Sequence, residues 1–117
     1  MSHSLAPGDD LLFQLESGFG LLRVLAIEGE DADTVWHLMA YDEFFPDAES
    51  AEAALTRDDL PVREPHLALT NRAFERTPTA RLGNRRVKED ELIGYRNWIN
   101  SDRKVFDRSA LLMLGIR

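Results

Sequence analysis

Apolar and polar residues alternate over residues 11–16: Leu11, Phe13 and Leu15 fall on one side, Leu12, Gln14 and Glu16 on the other. That period of two predicts a strand. Residues 20–28, rich in Leu, Val and Ile, predict a second strand, joined to the first across Ser17-Gly18-Phe19-Gly20. Glycine supplies the positive φ that tight hairpin turns and bulges use, so the connection reads as a hairpin. A phosphate-cradling glycine loop leads from a strand into a helix N-terminus. Here the glycines lead into another β-type run.

The acidic run EGEDAD, residues 28–33, predicts a loop, and TVWHLMAY, residues 34–41, a third strand. Alternation puts Trp36, Leu38 and Ala40 on one face of it and His37, Met39 and Tyr41 on the other. DEFFPD turns the chain, and Asp47 or Ser50 is placed to cap a short Ala-rich helix running to Thr56. Pro61 and Pro65 bracket a crossing loop, residues 66–70 predict a fourth strand, and residues 80–82 a short fifth. Leu92, Ile93, Tyr95, Trp98 and Ile99 recur at three- and four-residue spacings, the stripe of an amphipathic helix. Glu89, Asp90 and Glu91 sit in its first turn and complement the helix dipole, while Gly94 weakens it. The terminal SALLMLGIR fits a last helix or a buried strand equally.

The elements add up to an α+β domain: an N-terminal curved antiparallel sheet, open or bent into a partial barrel, with C-terminal helices packed against it. At 117 residues, 44% hydrophobic and 30% charged, the chain is expected to form one domain over residues 1–117, with residues 1–6 a disordered tail. It has no cysteine, which excludes disulfides, thiolate catalysis and cysteine-ligated zinc. A signal peptide and a membrane-length apolar run are not visible, so a cytoplasmic location is expected.

Charge is uneven along the chain. Residues 1–60 hold 14 acidic side chains against Arg23 and Arg57, a net of −12; residues 61–117 hold 12 Lys/Arg against 7 acids, a net of +5. If the halves stay apart in the fold, the surface has an acidic and a basic pole able to steer charged partners.

Candidate chemistry is sparse. No serine lies in a Gly-x-Ser-x-Gly elbow, and no catalytic residue is predicted. His3, His37 and His66 are far apart in sequence and form no ligand motif, so neither a metal nor a cofactor is expected. His37, between Trp36 and Leu38, reads as a half-buried sheet residue. Asp42 and Glu43 form a carboxylate pair without a companion base, and Phe44 and Phe45 beside them read as a core plug or, if exposed, as interface anchors. Arg72, Arg76, Arg81, Arg85, Arg86 and Lys88 cluster within seventeen residues near Phe74, a composition suited to phosphates and stacked bases. The overall charge of −7 weighs against nucleic acid.

Two segments carry a resemblance. PGDDLLFQLESGFGLLRVL resembles the opening of the bacterial immunity protein 26 family, which begins with a Gly-Asp pair, a strand, a Gly-containing turn and a strand carrying Arg-Val-Leu. HLALTNRAFERTPTARLGNRRVKEDELIGY is similar in layout: a histidine-led strand, a phenylalanine, a Leu-Gly-Asn turn, and a valine before an acidic helix start. The stretch between residues 42 and 63 and everything past Trp98 carry no such likeness. The resemblance implies a protein that binds and blocks a toxin in the cell that makes it. It implies no residue roles.

The expected partner is therefore another protein, a basic one such as a nuclease toxin, met through an acidic surface. Glu28, Glu30, Asp31 and Asp33, with Asp42, Glu43, Phe44 and Phe45, are the expected contact residues. Two alternatives stay open: an anion or nucleic-acid site on the arginine cluster, and a small enzyme with a pocket the sequence does not reveal.

Overall fold

The computed structural model describes residues 4–57 and 59–115. It is an α+β domain built on one antiparallel sheet of five strands: β1 (Asp9–Leu15), β2 (Gly18–Glu28), β3 (Val35–Tyr41), β4 (Val62–Thr70) and β5 (Thr79–Asn84). Spatial order is β4-β3-β2-β1-β5. The sheet stays open. Among the described residues four short helices join it: α1 (Ala48–Ala54), α2 (Asn71–Glu75), α3 (Ile93–Ile99) and α4 (Ala110–Leu114).

β1 and β2 form the expected hairpin, with Leu15 opposite Gly18 and Phe13 opposite Gly20. Gly20 is needed for close approach: a Cβ there would stand 2.4 Å from the Phe13 ring. The period-two reading of both β1 and β3 holds face by face. Leu11, Phe13, Leu15, Trp36, Leu38 and Ala40 belong to one core cluster, with Phe74 of α2 and Leu114 of α4. Leu12, Met39 and Tyr41 belong to the other, with Ala51 and Ala54 of α1. Both faces of the sheet are thus covered, which explains strands apolar on both sides. His37 is fully buried, not half-buried.

Three expectations change in detail. β4 begins at Val62, so Pro65 lies inside a strand rather than ending a loop. β4 is an edge strand, where a missing amide breaks no ladder bond. The first helix ends at Ala54, not Thr56, with Asp47 as its cap accepting from the Ser50 amide at 2.8 Å. The ambiguous C-terminal run is helical over Ala110–Leu114, capped by Ser109 and stopped by Gly115 at φ 68°. Of the expected N-terminal tail, residues 1–3 with His3 lie outside the described residues; Leu5 packs on the core.

Ion pairs join the two charge halves across the fold. Asp9 pairs with Arg81, Asp10 with Arg85, Asp42 with Arg63, and Arg23 with Glu91. Each pair joins one half of the sequence to the other.

Candidate functional site

Where β2 leaves the sheet, the chain makes a 3-10 turn, Asp31–Asp33, before re-entering as β3. The turn is closed by the Asp33 amide on the Glu30 carbonyl at 2.9 Å and the Thr34 amide on that of Asp31 at 3.2 Å. Glu30, Asp31 and Asp33 are exposed. Beside them lies a hollow of about 560 Å³, floored by Leu5, Ile27 and Trp36 and rimmed by Glu30, Asp31 and Glu75. Trp36 is fixed: its ring stacks on Phe74 at 4.3 Å and its Nε1 donates to Asn71 at 2.9 Å. Asn71 in turn donates to Glu75 at 2.6 Å. An apolar floor with a carboxylate rim suits a long basic side chain, whose stem covers the floor while its head reaches the acids.

The expected contact residues do not form one surface. Glu30, Asp31 and Asp33 sit before β3, whereas Asp42, Glu43, Phe44 and Phe45 follow it at its opposite end. Glu28 is turned to His37. Asp42 accepts from Arg63 at 3.0 Å, and Glu43 accepts from Arg57 at 2.8 and 3.2 Å. Phe44 is 41% exposed; Phe45 is buried, and its backbone pairs with that of Phe19. Glu75 and the floor of the hollow escaped the sequence reading because they come from three distant segments. The one signal for them was the Trp36 face of β3.

The arginine cluster is largely engaged. Arg72 and Arg76 hold Asp107, through its carboxylate and its carbonyl respectively, and Arg72 above all keeps the Asp107 pKa down at about 2. Arg81 donates to the buried Asp9 at 3.0 Å. Burial works to raise the Asp9 pKa, yet bonds from Asn84, the Ala6 amide and Arg81 bring it below the usual value. Arg85 forks onto Asp10 at 2.7 and 2.9 Å and donates to the Tyr41 hydroxyl at 3.1 Å. Its pKa is raised, first by that carboxylate. Beneath it, buried Arg23 donates to Asp10 and Glu91 and to the carbonyls of Gly8, Arg85 and Arg86. Arg86 and Lys88 remain without an ion pair among the described residues, on the rim of a cleft of about 770 Å³ between the sheet and α3.

A third cluster was not foreseen. His37 Nε2 lies 2.5 Å from a Glu28 oxygen, and His37 Nδ1 lies 2.9 Å from His66 Nε2. With Glu28 ionised, His37 donates to it from Nε2, so its Nδ1 accepts from His66. Tyr95 and Trp98 of α3 cover the pair, their ring centroids 4.6 and 4.5 Å from that of His37. Burial lowers the His37 pKa against the pull of Glu28; burial, and then His37, lowers that of His66 to about 4. The signal was strand parity, since His37 pairs with Ala68, two residues from His66. Among the described residues no group of three His, Asp or Glu is set to hold a metal ion.

No helix among the described residues is long and apolar enough to cross a membrane. Compared with family models, curated proteins and solved structures, the chain matches none of them.

Proposed function

We propose that the protein is a stoichiometric binding module of the immunity type, acting without chemistry of its own. In this reading the hollow beside the 3-10 turn takes a basic element of a partner protein. The observation that carries it is the rim of Glu30, Asp31 and Glu75 over the apolar floor of Leu5, Ile27 and Trp36. Five other carboxylates of the first half, Asp9, Asp10, Asp42, Glu43 and Asp59, are already tied to arginines. Glu30, Asp31 and Asp33 have no ion pair among the described residues, which leaves their field free to steer a cationic partner. The resemblance to immunity proteins supplies the class of partner, a toxin, and a basic one fits the charge.

The test is association kinetics with the basic protein that the immobilised chain captures from lysate, measured by stopped flow at low and high salt. The native protein is expected to associate quickly and to slow with salt. The triple variant Glu30→Gln, Asp31→Asn, Asp33→Asn is expected to associate about tenfold more slowly, with a flattened salt dependence. Unchanged kinetics would remove the acidic hollow from the interface.

A further inference from the structure

The cleft under α3 lies on the Met39 and Tyr41 face of the sheet, opposite the Trp36 face that floors the acidic hollow. Its volume of about 770 Å³ is within the range of small-molecule sites, roughly 300–1,000 Å³. Leu60, Val62 and Ile93 line it. Val62 and Ile93, both in the lining, are 45% and 56% exposed.

The polar groups of the cleft fall into two sets. Arg23 is paired with Glu91, Arg57 with Glu43 and Asp59, and Arg85 with Asp10. That leaves Arg86, Lys88 and, against them, the exposed Asp90. Among the described residues, the lining groups without an ion pair are therefore two cations and one carboxylate, in a protein whose net charge is −7. Two free cations are too few to follow a nucleic-acid backbone, and the lining offers no row of aromatic platforms for bases. An aliphatic wall beside a cationic rim favours instead a ligand with an apolar body and one anionic head.

We infer that this cleft binds a small organic carboxylate, its aliphatic body on Leu60, Val62 and Ile93 and its head held by Arg86 and Lys88. Arg23 is the rigid floor, since its Nε, Nη1 and Nη2 all have acceptors within the protein. Arg85 is likewise held, by Asp10. Selectivity for the anion thus rests on two exposed side chains that no internal bond restrains, and they can be removed without touching the core.

Three probes with one tail separate the contributions: decanoate, decanol and decyltrimethylammonium, titrated below their micelle concentrations at fixed ionic strength. Affinity is read by calorimetry and the site by amide chemical shifts. Decanoate is expected to bind tightest and decyltrimethylammonium weakest, with shifts at Met39, Leu60 and Ile93. The double variant Arg86→Ala, Lys88→Ala is expected to lose about tenfold in decanoate affinity and nothing in decanol affinity. Equal affinity for the three heads, shifts confined to α4 around the exposed Leu112, or no binding of decanoate would each overturn the inference. The acidic-hollow variants leave this titration unchanged, so the two sites succeed or fail separately.

Discussion

His37 and His66 stand 29 residues apart in the sequence and 2.9 Å apart in space, Nδ1 to Nε2. They are the point at which α3 is pinned to the sheet, because Tyr95 and Trp98 close over them. Two neutral rings fit that space; a proton added to His66 meets half-burial and a neighbouring imidazole.

The first prediction is the pH dependence this creates. Unfolded, His66 binds its proton near 6.5; folded, near 4. Between those values the unfolded chain holds the extra proton, so stability falls as pH drops through the window. Above 6.5 there is no penalty. Below 4 the penalty is complete and is on the order of 3 kcal/mol. The charged groups facing this cluster are Glu28 and, near Tyr95, Arg103. Urea unfolding of His66→Gln, compared with the native protein at pH 7 and pH 4.5, should show a shallower loss in the variant. An equal loss in both would place the acid sensitivity elsewhere.

A second prediction concerns Asp10. Its carboxylate accepts from Arg23 and twice from Arg85, and it is 1% exposed. Asp10→Ala leaves a buried guanidinium short of a partner and is expected to destabilise by about 3–5 kcal/mol. Asp42→Ala, which breaks the half-exposed pair with Arg63, is expected to cost less than about 1 kcal/mol. Chemical denaturation of the two variants side by side checks the contrast.

Gly94 supplies a third. In an exposed helix, glycine to alanine gains about 1 kcal/mol. Here a Cβ would stand 2.9 Å from the His66 Cβ and 3.4 Å from the Pro65 carbonyl oxygen. The clash with the His66 β-carbon is expected to win, at a net cost of about 1–2 kcal/mol. A lower melting temperature with a shifted Trp98 emission is the expected result, and a higher melting temperature would show that α3 yields freely.

Strand parity was readable wherever both faces are apolar, as in β1 and β3, because each alternate set met its own core. Pro65 hid the start of β4, since a proline is tolerated only at an edge and the edge is a property of the whole sheet. Asp9 and Asp10 look like turn residues until Arg23, Arg81 and Arg85 arrive from other strands to bury them. The same blindness made six cations look like one patch when Asp9, Asp10 and Asp107 already hold four of them. Both hollows and the histidine pair are assembled from segments far apart in the chain, so no local pattern announces them.

Asp9 and Arg81 lie 72 residues apart, and β5, which carries Arg81, follows the other four described strands in chain order. Until then a nascent chain can pair β1 to β4 but leaves the outer edge of β1 bare. Such an edge invites pairing with another chain, and inward-pointing charge deters it. Asp9 and Asp10 stand at the head of that edge, Asp9 unmatched until Arg81 emerges and Asp10 held only by Arg23 of β2 until Arg85 does. The two aspartates therefore guard the unfinished sheet first and fasten its final strand afterwards, a sequence of roles imposed by strand order alone.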